Sequence, residues 1–197
     1  MLNSEKMVAS IGNQDLDHAD KYFKKALQED PAEVLVELAE YLESIGFLPQ
    51  AQEIYEKVRF DFPEVNVNLA QIAAEDGDIE KAFLFLDAIP EDSEDYLSAL
   101  VVKADLYQME GLTDVARDKL LEASQLSDDS IIIFGLAEME FELGNFEQAI
   151  HYYAKLDNRE LLEATGVSTY ERIGKAYASL GKFEAAREFL EKAIEIE

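Results

Sequence analysis

The chain of 197 residues contains no cysteine and no tryptophan, and only four prolines and nine glycines. Without cysteine it has no disulfide, no thiolate metal site and no cysteine nucleophile. So few prolines and glycines do not suit an all-β protein, which needs frequent turns. Because 48% of the residues are hydrophobic, the chain can still bury a sizeable core. The composition predicts a helical protein.

Basic side chains are scarce, with 17 Lys and Arg against 43 Asp and Glu, and the formal net charge is −26. The resulting negative potential makes nucleic acids and anionic membranes poor partners. No stretch approaches the roughly 20 apolar residues that span a bilayer. The first residues, 1–6, lack the basic and then apolar pattern of a secretion signal. We therefore predict a cytoplasmic protein.

The sequence also lacks recognisable catalytic and metal-binding motifs, such as a glycine-rich phosphate loop, a serine nucleophile elbow or an HExxH motif. His18 and His151 are far apart in the sequence. The acidic loop 90–95 lacks the glycine-containing spacing of a calcium loop, and we interpret it and residues 128–130 as helix N-caps. We predict no enzyme activity, no metal site and no cofactor.

A glycine followed five residues later by an alanine marks an internal repeat. The five pairs are Gly46/Ala51, Gly77/Ala82, Gly111/Ala116, Gly144/Ala149 and Gly181/Ala186. Successive alanines are 31, 34, 33 and 37 residues apart, so the period is near 33 with small insertions. A diverged first repeat has Ala19 at the alanine position, but Gln14 where the others have glycine.

Apolar residues recur in step with each alanine. Four residues after it come Phe23, Tyr55, Leu86, Leu120, Tyr153 and Leu190, and seven after it Ala26, Val58, Ile89, Ala123, Leu156 and Ala193. These offsets place the side chains on one face of a helix. A second amphipathic segment precedes each glycine, which suits the left-handed end of a helix. Each repeat is therefore a helix hairpin, and successive hairpins stack into a right-handed superhelix.

The last repeat, Tyr170-x-x-Ile173-Gly174-x-x-Tyr177-x-x-x-Gly181-x-Phe183-x-x-Ala186-x-x-x-Leu190-x-x-Ala193, resembles the tetratricopeptide repeat. The resemblance covers one domain, 1–197, in six repeats at about 1–31, 32–62, 63–91, 92–129, 130–160 and 161–197. It implies an all-α, right-handed superhelical solenoid. Lys103 and Glu140 depart from the pattern, since they stand where apolar residues are usual. The chain looks like the N-terminal part of a bacterial protein with many such repeats.

The resemblance also implies a function, because such solenoids generally bind peptides or helices of other proteins in a concave groove lined by the first helix of each hairpin. The first-helix segments 33–44, 64–75, 98–109 and 130–142 hold ten acidic residues and one basic residue. The expected groove residues are Val36, Glu40, Glu43, Val67, Gln71, Glu75, Val101, Asp105, Met109, Phe134, Glu138 and Phe141. We predict an adaptor whose partner segment is basic and apolar. A merely solvated helix face remains the alternative.

A second possible function is self-assembly. The sequence stops at Glu195-Ile196-Glu197, within the second helix of the sixth repeat and without a closing cap. Solenoid ends normally need such a cap. Phe189, Leu190 and Ile194 would leave apolar surface there, so the array could form homo-oligomers through its C-terminal helices.

Overall fold

The computed structural model describes residues 1–195, and the last two residues lie outside the description. Over 1–195 the secondary structure consists of helices without strands, which confirms the prediction of an all-α protein. The backbone divides into two compact units, Met1–Asp95 and Tyr96–Glu197. Each unit is described by itself.

The first unit consists of three helix hairpins. Their helices are α1 (Asn3–Gly12) with α2 (Leu16–Glu29), α3 (Ala32–Ser44) with α4 (Leu48–Val58), and α5 (Val65–Glu75) with α6 (Ile79–Asp87). In each hairpin the two helices pack against each other, and α4 also packs on α5 of the next hairpin.

The second unit contains three further hairpins and one helix that the repeat pattern does not predict. Its helices are α7 (Tyr96–Met109) with α8 (Thr113–Leu126), α9 (Ser130–Glu142) with α10 (Phe146–Tyr153), the additional α11 (Asn158–Thr165), and α12 (Thr169–Ser179) with α13 (Phe183–Glu195). The additional helix lies within the longest spacing of the repeat, the 37 residues between Ala149 and Ala186.

The turn between the two helices of each hairpin has the predicted left-handed backbone. The five repeat glycines have φ angles between +74° and +85°. In the diverged first repeat Gln14 takes the same conformation, with φ +59°, and is the one non-glycine residue of 1–195 with positive φ. Because a Cβ atom makes this conformation unfavourable, Gln14 marks a strained version of the same turn.

The alanines of the repeat lie in the core of the two units. All six are buried, as are five of the six apolar residues that follow them by four positions. Leu190, the sixth, is half-buried. The small residues Ala39, Ala70 and Ala137 on the first helices are also completely buried. The core of each unit therefore forms along the predicted apolar faces of the helices.

Polar side chains before several helices cap them, as the sequence suggests. Asp129 accepts a hydrogen bond from the backbone N–H of Ile131 at 2.8 Å and so caps α9. In the acidic loop, Ser93 Oγ accepts one from the N–H of Asp95, at 3.1 Å, directly before α7. The Asp129 contact is the predicted cap of α9. The Ser93 contact instead closes a turn within the acidic loop, since Asp95 precedes the first residue of α7.

Candidate partner-binding surfaces

In the first unit, Glu43 is the predicted groove residue with the most contacts. Its Oε2 accepts hydrogen bonds from Tyr55 Oη at 2.6 Å and from Asn68 Nδ2 at 3.0 Å. These partners lie on α4 and α5, so one half-buried carboxylate connects two neighbouring hairpins. Burial and the hydrogen bond to Glu43 raise the pKa of Tyr55 well above its ordinary value. Glu43 therefore links the two hairpins. Its carboxylate is less available to a binding partner, because Oε2 already accepts two hydrogen bonds.

The other predicted groove residues of the first unit are more accessible. Glu40, Gln71 and Glu75 are exposed, whereas Val36 and Val67 are half-buried. Among residues 1–195, no Lys or Arg nitrogen lies within 4.0 Å of the Glu40 or Glu75 carboxylate. These first helices thus present free negative charge next to partly covered apolar side chains.

In the second unit, Glu138 is already paired with a cation. Arg172 on α12 makes a salt bridge to it, with Nε 2.9 Å from Oε1, and its Nη2 donates a hydrogen bond to Oε2 at 3.0 Å. The Tyr153 hydroxyl donates a further hydrogen bond to Oε1. Burial and this hydrogen bond raise the pKa of Tyr153 well above its ordinary value. Glu138 therefore contacts the following hairpin much as Glu43 does in the first unit.

The predicted apolar groove residues of the second unit differ in how far they are buried. Phe134 and Phe141 are half-buried and pack against the core cluster that contains Ala137, Ala149, Tyr153 and Ile173. Val101 is half-buried beside another core cluster. Met109, at the end of α7, is 68% exposed. Among the predicted apolar groove residues of the second unit, Met109 is therefore the most exposed.

Asp105 on α7 is an exposed residue whose carboxyl group is nevertheless partly desolvated. Desolvation by neighbouring groups raises the pKa of its carboxyl group. In the described part of the chain, no cationic side chain lies within 4.0 Å of it. A cation supplied by a partner would thus stabilise the charged form of Asp105.

The two residues that depart from the repeat pattern have different surroundings. Glu140 is buried, with Asn145 Nδ2 donating a hydrogen bond to it at 2.8 Å and Arg117 Nε 3.7 Å away. Lys103 is half-buried. A polar residue at a core position is tolerated when such partners satisfy it.

Neither histidine lies in a metal-binding cluster. His18 makes a 2.7 Å contact with Asp15, and the His151 ring packs edge-on against Tyr152. Across residues 1–195, no three His, Cys, Asp or Glu side chains are grouped closely enough to hold a metal ion. Within the same range, each helix is too short or too polar to cross a membrane.

Sequence reasoning did not identify the partners of the groove carboxylates. The repeat pattern accounts for Tyr55 and Tyr153 only as apolar positions, and it does not point to Asn68 or Arg172. A usable signal was present, because a tyrosine at a core position brings a hydroxyl group that needs a hydrogen-bond partner. An acidic residue on the facing helix could have been proposed for that role.

Three family models match successive parts of the chain. The model described as the tetratricopeptide repeat protein 21 ARM repeat matches residues 3–114. The YpiA-like tetratricopeptide repeat model matches 108–161, and a general tetratricopeptide repeat model matches 167–197. The chain is also 29% identical over 185 residues to the TPR repeat-containing protein YpiA of Bacillus subtilis (strain 168). That match covers 93% of the chain but 43% of YpiA, so the chain spans less than half of this relative.

Several solved structures share the fold at low sequence identity. A crystal structure of MamA has a TM-score of 0.68 and 20% identity, covering 83% of this chain and 90% of that one. YrrB, described as a TPR protein with an unusual peptide-binding site, has a TM-score of 0.67 and 20% identity, with 89% and 92% coverage. PilW, described as a type IV pilus biogenesis factor, has a TM-score of 0.62 and 18% identity, with 95% and 88% coverage.

Proposed function

Because the chain belongs to the tetratricopeptide repeat family, we propose that it is a non-enzymatic adaptor that binds a segment of another protein. The segment lies along the first helices of the hairpins and carries Lys or Arg spaced around Leu, Phe or Ile. The peptide-binding site named for YrrB supports peptide binding as a use of this fold. The net charge of −26 favours a basic segment and disfavours nucleic acid.

The unpaired carboxylates of the first helices are the observation that carries this proposal. The chain has 17 basic side chains, yet none of those described lies within 4.0 Å of the carboxylate of Glu40, Glu75 or Asp105. Asp105 also has a pKa raised by desolvation. A basic partner would relieve this local excess of negative charge, and the long-range field would speed its approach.

The affinity must come mainly from apolar contacts, because each exposed ion pair contributes only about 0.2–1 kcal/mol. Met109 is 68% exposed and is the best anchor available. Only the exposed parts of Phe134 and Phe141 can contact a partner, because both side chains also pack against the core. Truncating either phenylalanine would therefore reduce stability as well as binding, whereas Met109→Ala tests binding alone.

The proposal is tested with a display library of random twelve-residue peptides selected on the immobilised chain. We expect the enriched peptides to combine Lys or Arg with large apolar residues. Met109→Ala should weaken their binding about tenfold or more, as expected for an anchor. Glu40→Lys/Glu75→Lys and Asp105→Lys should each weaken it at low salt, mainly through slower association.

The charge-matched control is Glu53→Lys/Glu80→Lys, which changes two exposed residues of the second helices α4 and α6 in the same unit. It alters the net charge as much as Glu40→Lys/Glu75→Lys does, but should leave binding closer to that of the parent. Circular dichroism confirms that each variant is folded. Equal losses in both double variants, or enrichment of acidic peptides that respond to Met109→Ala, would refute the groove assignment.

A second candidate function is self-assembly through the C-terminal helices. Phe183 and Ile194 on α13 are 72% and 71% exposed, and such apolar side chains can form an interface with another copy. Sedimentation velocity over a range of concentrations tests this idea. Association that Phe183→Ser/Ile194→Ser abolishes would support it, and a monomer at all concentrations would exclude it.

A further inference from the structure

Arg59 differs from the other arginines of the chain in its surroundings. Each of the other four lies within 4.0 Å of a carboxylate, in the pairs Arg117–Asp118, Arg159–Glu163, Arg172–Glu138 and Arg187–Glu191. The Arg59 guanidinium instead lies over the rings of Phe60 and Phe85, at 4.7 and 5.3 Å from their centroids. No carboxylate of residues 1–195 comes within 4.0 Å of it.

Two strongly exposed apolar side chains flank this guanidinium. Phe60, in the turn after α4, is 81% exposed, and Leu84 on α6 is 70% exposed. Together with Arg59 and Lys81 they border an open depression of about 630 Å³. Lys81 Nζ is 3.5 Å from Glu56 Oε1 and 5.7 Å from the centre of the Phe85 ring. Large exposed side chains grouped around a depression indicate a contact surface for another molecule.

A smaller hollow of about 260 Å³ adjoins the depression and shares Arg59, Phe60 and Ala88 with it. Asn66, which also lines the hollow, is 2% exposed. Its Nδ2 donates a hydrogen bond to the carbonyl oxygen of Pro63 at 2.9 Å, but its Oδ1 has no hydrogen-bond partner. A buried acceptor without a donor is costly, so a molecule that supplies an N–H group would gain from meeting it.

We propose that Arg59, Phe60, Leu84 and Asn66, here called the Arg59 surface, bind an extended segment of another protein. In this segment an Asp or Glu stands next to a large apolar residue. The guanidinium contacts aromatic rings in place of a carboxylate, and its fork of N–H groups suits a bidentate carboxylate. The apolar residue packs on Phe60 and Leu84. A backbone N–H group of the segment donates to Asn66 Oδ1.

Charge complementarity decides the kind of occupant. An arginine without a carboxylate partner, in a chain with 43 acidic side chains, selects a ligand that brings its own carboxylate. In the Arg59 surface, Arg59 and Phe60 directly follow the second helix α4, Leu84 lies on the second helix α6, and Asn66 lies in the first turn of α5. The groove proposed above uses first helices and prefers the opposite charge. The two sites are therefore independent, and one can fail without the other.

The test is a second selection from the same peptide library, with the intact chain as the target and Arg59→Gln/Phe60→Ser used to remove peptides that bind elsewhere. It is run at about 0.3 M salt, where screening shortens the reach of the overall negative field. The matched control is Arg159→Gln/Leu16→Ser, which removes another exposed arginine and another exposed apolar side chain (86% and 58% exposed). Circular dichroism verifies the fold of both variants.

We expect enriched peptides with Asp or Glu beside Leu, Ile or Phe. By fluorescence anisotropy, Arg59→Gln/Phe60→Ser should weaken their binding at least tenfold, and the control should change it less than twofold. Enriched peptides that are basic, or that fail to distinguish the variant from the control, would overturn the proposal. So would concentration-dependent self-association that the same double substitution abolishes, because the occupant would then be a second copy of the chain.

Discussion

Tyr55 on α4 donates a hydrogen bond of 2.6 Å to Glu43 on α3, and the tyrosine is completely buried. Burial and this hydrogen bond raise the pKa of Tyr55, so the hydroxyl group stays neutral in the folded chain after it would ionise in the unfolded one. A raised folded-state pKa contributes stability that is fully present below the unfolded pKa of about 10 and is lost above it.

Tyr55→Phe should therefore change how stability depends on alkaline pH. The parent should lose up to about 1.4 kcal/mol per pH unit from this group above pH 10, and the variant should lack that contribution. Near pH 8 the variant should be less stable by about 1 kcal/mol, because one hydrogen bond is gone. Urea unfolding at several pH values measures both effects. Parallel curves for parent and variant above pH 10 would contradict the argument.

Gly174→Ala should destabilise the second unit, although alanine favours helices. A Cβ atom at this position on α12 would lie 2.7 Å from Leu190 Cγ and 3.1 Å from the backbone oxygen of Ala186 on α13. Forcing these helices apart should cost about 1–3 kcal/mol, more than the gain in helix propensity of about 1 kcal/mol.

Gly135→Ala on α9 is the matched comparison for Gly174→Ala. Its Cβ atom would meet only the Cδ1 end of the Leu120 side chain, at 2.8 Å, which can move aside. We expect this substitution to be neutral or to stabilise the chain by up to about 1 kcal/mol. Thermal unfolding of both variants measures the difference in stability. A larger loss of stability for Gly135→Ala than for Gly174→Ala would contradict the argument that α12 and α13 leave no room for a Cβ atom at Gly174.

Gln14→Gly should stabilise the first hairpin. Gln14 has φ +59°, a conformation that costs an L-residue with a side chain about 1–2 kcal/mol, and glycine adopts it without that strain. The greater freedom of glycine in the unfolded chain offsets part of the gain. The reverse change, Gly46→Gln, places a side chain where φ is +85° and no neighbouring atom lies within 4 Å of its Cβ. Opposite shifts in Tm are expected, and shifts of the same sign would rule out backbone strain as the cause.

The hairpins and their turns could be predicted because they depend on a local pattern. A glycine, an alanine five residues later and apolar residues at helical offsets report on neighbouring turns of the chain. The repeat pattern does not predict the helix α11, because the longer spacing at this point indicates only a small insertion. Its own signals are in the sequence, since Asp157 caps its start and Gly166 ends it with φ +75°.

The contacts of the candidate site could not be read from the same pattern. Glu138 was predicted as a groove residue, but its partner Arg172 lies 34 residues further along the chain. Periodicity places each of them on a helix face, but it does not say which carboxylate meets which cation. That choice depends on side-chain geometry between two packed hairpins, which a single sequence does not encode as a recognisable motif.

Polar contacts between hairpins join helices that are close along the chain, such as Glu43 with Asn68 and Glu142 with Thr113, which are 25 and 29 residues apart. Forming them closes only short loops, and the entropy lost in loop closure grows with loop length. Structure within each unit can therefore begin at any neighbouring pair of hairpins and spread to the next. A substitution that slows folding should act through the hairpin that carries it and the hairpins beside it.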